Sequence, residues 1–327
     1  MNFKIKKAIS SNFIINKLYS GIATIFTLHR VHPFEKWKLA PNENMKITPE
    51  FLENFVVKLK TEGYKFISLD SLYDILIHKE RVEKQIVLTF DDGYKDNFVY
   101  AFPVLKKHAI PFTIYITTSF INRTTILWWY ALEDLILLKD EISLSTGHTF
   151  SCKTIPDKVF SFMKIREIIL SLDQNNLLEE LNKLFRFYDI NWSAKCDSLA
   201  LNWSEVIQLS MNELVTIGGH TNNHFALNKI SDMDVLRELN ESHSLIESFI
   251  NKPVLHFSYP YGTTDTVGKK EFDIIKKVKL KTATTTRAGN IYYKHIDFLH
   301  SLPRIMLTEN FNIENIGLIR KSRIVTN

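Results

Sequence analysis

The chain has 327 residues, of which 45% are hydrophobic and 24% charged. That is long enough for one large domain or two small ones and for a full core without disulfides. A formal charge of +5 is mild; it permits an anionic ligand or a membrane surface but does not argue for nucleic acid, which needs a clustered basic face. The two cysteines, Cys152 and Cys196, fit neither a metal spacing nor a disulfide framework and read as free thiols, which suits a reducing compartment.

In chain order, residues 1–21 form a basic segment in which Lys4, Lys6, Lys7 and Lys17 surround Phe13, Ile14, Ile15 and Leu18. It lacks the apolar core and small-residue site of a secretory signal, so a cytoplasmic location is expected. The segment reads either as a helix packed on the domain or as an amphipathic helix in peripheral contact with the inner membrane face. Short apolar runs then predict strands at Ala23–Val31, Tyr64–Ser68, Ile86–Phe90, Phe112–Thr117, Val215–Gly219, Val254–Tyr259 and Thr282–Thr286. Helices are predicted between them. One starts at Thr48-Pro49-Glu50, a cap followed by proline, and ends before Gly63. Others cover about Lys95 to His108, Ser231 to Ile250, and Lys269 to Lys279. This alternation predicts an α/β fold, a distorted (β/α) barrel of about seven parallel strands. Residues 119–202 break the rhythm as a helical insertion with no clear strand. Its Trp128, Trp129 and Tyr130 are either core or a wall of a substrate cleft. Residues 309–327 form a tail.

Three clusters carry chemistry. Thr89-Phe90-Asp91-Asp92-Gly93 follows a buried-strand pattern. Two adjacent carboxylates there are costly unless paired, protonated or metal-bound. Successive strand residues point opposite ways, so one can bind metal while the other acts as base. The competing reading is a solvated helix cap. Gly218-Gly219-His220-Thr221-Asn222-Asn223-His224 follows another strand. Imidazoles at i and i+4 are expected to share one face of a helical turn and grip one Zn²⁺. Phe257-Ser258-Tyr259-Pro260-Tyr261-Gly262 ends a third strand in a fixed turn that can aim an N–H at an oxyanion.

Taken together, these segments resemble the polysaccharide deacetylase family, also called the NodB-homology group or carbohydrate esterase family four. Thr89–Gly93 matches its T-F-D-D-G motif. His220, Thr221 and His224 match H-[ST]-x-x-H, and Pro260, Tyr261 and Gly262 match the end of R-x-P-[FY]-G. Leu28-His29-Arg30-Val31, Ile47 to Leu72, Trp203 to His220 and Leu302-Pro303-Arg304-Ile305 are also similar, so the resemblance spans about 22–308. It implies a NodB-type barrel that removes N-acetyl groups from an amino-sugar glycan or glycan precursor. One divalent metal, expected to be Zn²⁺, would be held by Asp92, His220 and His224, with Asp91 as base and the Tyr261 N–H as oxyanion donor. His29 and Pro260 fall at substrate-contact positions. Neighbouring readings are a deacylase or deformylase of a lipid- or nucleotide-linked sugar, and a glycan-binding relative without catalysis.

Two departures stand out. Ser258 occupies the place of the motif arginine that orients the base, and Arg304 is the expected replacement from a neighbouring strand end. The motif that supplies the general acid is not well matched; His300 is the first candidate and His295 the second, each against the reading of a surface histidine. The family's tryptophan-containing fourth motif is not visible in Thr282–Asn290.

Overall fold

The computed structural model describes residues 21–36 and 38–312. Residues 1–20 of the expected 1–21 helix and most of the 309–327 tail lie outside the described residues. Among the described residues no helix is long and apolar enough to cross a membrane.

Strands β1 (Ala23–Leu28), β2 (Lys65–Phe66), β3 (Gln85–Phe90), β4 (Phe112–Ile116), β5 (Val215–Gly219), β6 (His256–Ser258), β7 (Thr282–Thr284) and β8 (Ile305–Met306) form one sheet. Every pairing in it is parallel. Seven strands lie side by side in the order β7-β6-β5-β4-β3-β1-β8, and β2 pairs with the start of β3. Every residue of β1, β3 and β4 is buried. A parallel sheet covered on both faces needs apolar residues on both, which is why these segments read as nearly continuous apolar runs. The sheet curls toward closure. β8 pairs with β1, while Leu302, just before β8, bridges Thr284 of β7. This is the distorted barrel expected from the alternation.

The helices cover the outside. α1 (Pro49–Thr61) starts where Thr48 accepts the Phe51 N–H at 3.1 Å and buries Leu52, Phe55, Val56 and Leu59. α2 (Leu69–His78), capped by Ser68, was not expected, because the segment carries no glycine or proline boundary at its start. The helix expected from Lys95 begins as a wider π turn at Asn97–Ala101 and continues as α3 (Phe102–Lys107).

The insertion contains α4 (Trp128–Leu138), α5 (Ile155–Ser171) and α6 (Leu177–Leu184). It also contains an antiparallel hairpin, Glu141–Ser143 with Thr149–Ser151, which corrects the expectation of no strand there. Three-residue strands are too short to leave a period-two pattern. A separate apolar core holds the insertion together, with Trp128, Ile136, Phe162, Ile165, Leu181 and Trp192 among its members. Both cysteines are free and buried. The chain returns through α7 (Trp203–Ser210) to β5, then α8 (Asp232–Ile250) and α9 (Lys269–Ile275) follow.

Candidate functional site

The strand register places the chemistry on one rim. Leu28 of β1 pairs with Phe90 of β3, Ile116 of β4 with Gly219 of β5, and Ser258 of β6 with Thr284 of β7. The next residues, His29, Asp91 and His220, therefore leave the barrel at its C-terminal end, where barrel sites gather. They open into a cleft of about 550 Å³ lined by His29, Asp91, Asp92, His220, His224, Tyr261 and several aromatic side chains.

Asp91 and Asp92 divide as their alternation predicts. Asp91 turns into the barrel, where Arg304 clasps it with Nη1 to Oδ1 at 2.7 Å and Nη2 to Oδ2 at 2.6 Å. Burial opposes the charged form of Asp91, but the Arg304 guanidinium outweighs it and holds the carboxyl below its usual range. Arg304 has no exposure to water and also donates to Ser258 Oγ at 2.8 Å, Thr89 Oγ1 at 3.0 Å and the Thr285 carbonyl at 2.9 Å. The residue at the motif-arginine position thus accepts a hydrogen bond from the arginine that takes its place.

Asp92, with φ of 76°, turns the other way. Its Oδ1 lies 3.3 Å from His220 Nε2 and 3.3 Å from His224 Nε2, yet makes no hydrogen bond of its own. Ligand atoms about 2.1 Å from one tetrahedral ion stand about 3.3–3.4 Å apart, so these contacts have the spacing of a shared metal. One ligand atom from each of the three residues falls within 4.8 Å of the others. Burial works against the charged form of Asp92, but the two imidazoles hold its carboxyl well below the ordinary range. His220 Nδ1 is fixed 2.7 Å from the Ser258 carbonyl, which leaves Nε2 with its lone pair toward Asp92. The donor set fits a borderline divalent ion such as Zn²⁺.

The histidine pair does not sit on a helical turn. Residues 220–224 form a loop in which Thr221 and His224 both have positive φ. Glu238 of α8, buried to 2% exposure, braces it by accepting the Asn222 N–H at 3.0 Å, the Asn223 N–H at 2.7 Å and Asn223 Nδ2 at 2.6 Å. Glu238 carried no sequence signal, because an acidic residue inside an amphipathic helix ordinarily faces solvent. The two glycines before His220 answer to close approach. A Cβ on Gly218 would stand 2.5 Å from the Tyr115 ring, and one on Gly219 would stand 2.4 Å from His243 Nε2.

Tyr261 also has positive φ, 59°, and among the described residues its amide N–H has no hydrogen-bond partner. Its ring packs 4.8 Å from that of His224, and burial pushes its hydroxyl up to about 12. Pro260 is buried in the turn before it but does not line the cleft. His29 does line it, with Nδ1 buried and unpartnered. Burial lowers the His29 pKa, against the pull of Asp92 and Asp91. His300 is elsewhere. Its Nε2 lies 3.1 Å from the Leu280 carbonyl and it does not line the cleft. His295 turns back on Tyr292 within its own turn. The acid expected at either position is therefore not brought to Asp92, His220 and His224. The insertion supplies the far wall, with Trp128, Trp129 and Tyr130 from α4 and Phe162, Met163 and Arg166 from α5. The Trp129 ring stands 5.6 Å from that of His224.

The family model for polysaccharide deacetylase matches residues 78–282. The chain belongs to the polysaccharide deacetylase family. This is a family of hydrolases that act on N-acetyl amide bonds. A putative polysaccharide deacetylase of Bacillus subtilis (strain 168), YxkH, is 31% identical over 78 residues, 24% of this chain and 28% of that protein. The chain thus matches under a third of that relative's length. Among solved structures, Streptococcus pyogenes deacetylase PplD in complex with acetate superposes with a TM-score of 0.61 at 19% identity, covering 91% of this chain and 98% of that one. IcaB from Ammonifex degensii gives 0.58 at 16% identity, over 89% of this chain and 93% of that one. These likenesses show the same fold. The family match ends at Thr282, so Arg304 lies beyond it.

Proposed function

We propose that the chain is a metal-dependent hydrolase that removes N-acetyl groups from an amino-sugar glycan or glycan precursor. The observation that carries this reading is the convergence of His220 and His224 Nε2 on the unbonded Asp92 Oδ1 beside an arginine-clasped Asp91. A divalent cation on the trio, with Zn²⁺ the best fit, would polarise the acetamide carbonyl and make water acidic enough to deprotonate near neutral pH. The chain does the rest. Asp91, held ionised and fixed in direction by Arg304, takes the proton of the attacking water. The Tyr261 N–H faces the oxygen on which charge develops; one such donor is typically worth about 2.7–4 kcal/mol. His29, the imidazole in the cleft that the trio does not use, contacts the sugar, while the proton that Asp91 took from the attacking water passes to the departing amine. Trp129, half-buried on the wall that the insertion supplies, offers a flat apolar face for a sugar ring. The Arg304 clasp also speaks against a relative that has lost catalysis, since a buried ion pair aimed into a dead site would serve no proton transfer.

Asp91→Asn tests the reading. The variant should keep its metal, because Asp92, His220 and His224 remain, and lose at least about a thousandfold in acetate release from N-acetylated glycans. Unchanged turnover in a folded, metal-loaded variant would remove Asp91 as base. No acetate from any glycan with the wild-type protein would remove the activity itself.

A further inference from the structure

Two arginines line the cleft, and they are not equivalent. Arg30 is answered by Asp96 at 2.6 Å. Arg166 of α5 is half-buried and, among the described residues, its guanidinium has neither an acidic partner nor a hydrogen bond. Its own helix does not supply one. The residues one turn before it are Phe162 and Met163, which line the cleft with it, and Glu167 is already paired with Lys164 at 2.9 Å. What holds Arg166 is an aromatic face, with its Cζ 5.9 Å from the centroid of the Tyr261 ring. That ring in turn stands 4.8 Å from His224. The guanidinium is therefore one aromatic ring away from a metal ligand, on the substrate side. A guanidinium stacked on a ring keeps its in-plane N–H donors free, and their fork matches phosphate and carboxylate oxygens.

We propose that Arg166 forms an anion subsite of the cleft, so that the substrate is an N-acetylated amino sugar carrying a phosphate or carboxylate next to the group that is hydrolysed. The inference rests on the deacetylase reading and narrows it to anionic substrates. With the acetamide at the trio, the remaining substituents of the same sugar, or of the one joined to it, lie across the Tyr261 ring toward Arg166. The two carboxylates of the cleft do not oppose an anion there, since Asp91 is neutralised by Arg304 and Asp92 faces the histidine pair.

The test compares wild type, Arg166→Gln and Arg166→Lys on three substrates: an N-acetylhexosamine 1-phosphate, an N-acetylhexosamine bearing a carboxylate, and a neutral N-acetylhexosamine disaccharide. The wild type is expected to favour one or both anionic sugars by about tenfold or more in kcat/KM, mainly through KM. Arg166→Gln should erase that preference, and Arg166→Lys should restore part of it. The phosphate and carboxylate arms separate the two sources of charge. Equal kcat/KM for all three substrates in wild type, or a preference untouched in Arg166→Gln, overturns the proposal. If no substrate releases acetate, the activity reading fails, but the subsite is still decided by titrating the intrinsic tryptophan fluorescence with the sugar 1-phosphate and with the carboxylate-bearing sugar. The expected result is a Kd at least about tenfold weaker in Arg166→Gln and sensitive to salt. The same Kd in both proteins overturns it.

Discussion

Arg304 has all of its charge and most of its donors answered inside the barrel. Removing a buried charge partner typically costs about 3–5 kcal/mol, because the remaining charge cannot reach water. Arg304→Ala leaves Asp91 in that position, so its thermal midpoint should fall by several degrees along with its activity. Arg304→Lys separates the two effects. Lysine keeps the charge but cannot fork across both carboxylate oxygens and reach Ser258 as well. The expected outcome is a folded protein with full metal content by elemental analysis and a kcat lower by about tenfold or more. Full activity in Arg304→Lys would mean that a positive charge near Asp91 is enough and the bidentate geometry is not used.

At the scale of elements, the histidine loop depends on α8. Glu238 accepts three N–H groups of Asn222 and Asn223, and burial of its carboxyl raises its pKa against their pull. Glu238→Ala leaves those donors without a partner next to His220 and His224, the two imidazoles of the proposed metal site. Loss of such an outer brace typically costs about 10–100-fold in metal affinity. Competition with a chelator should read that loss, with little change in the helical signal of circular dichroism. The contrast with the sequence is physical. Asp91, Asp92, His220, His224 and Tyr261 were legible because each sits just past a buried strand, and buried parallel strands announce themselves as apolar runs. Arg304 was legible only as the answer to a missing arginine at Ser258. Glu238 and the role of Arg166 were not legible, since both depend on which face of a helix meets a loop from elsewhere in the chain. The i, i+4 spacing of the histidines misled about local shape. Two residues at positive φ bring the rings together without a helix.

Across the whole molecule, burial that favours the cleft also sets the pH range in which the barrel is stable. His243 on α8 is packed against Gly219 and the Phe257 ring, with Nε2 buried and unpartnered. Burial alone lowers its pKa from 6.5 to about 4. The unfolded chain therefore takes up this proton first as the pH falls, and folding loses stability from about pH 6.5 down to about pH 4. Between pH 7 and pH 5 the loss from this one group is about 2 kcal/mol. His243→Leu removes the titrating ring and an unpaired polar atom at similar volume. Denaturant unfolding at the two pH values should show wild type weakening more than the variant by roughly that amount. A parallel fall in both proteins would mean that other buried groups, such as His295, whose pKa burial also lowers to about 4, carry the acid sensitivity instead.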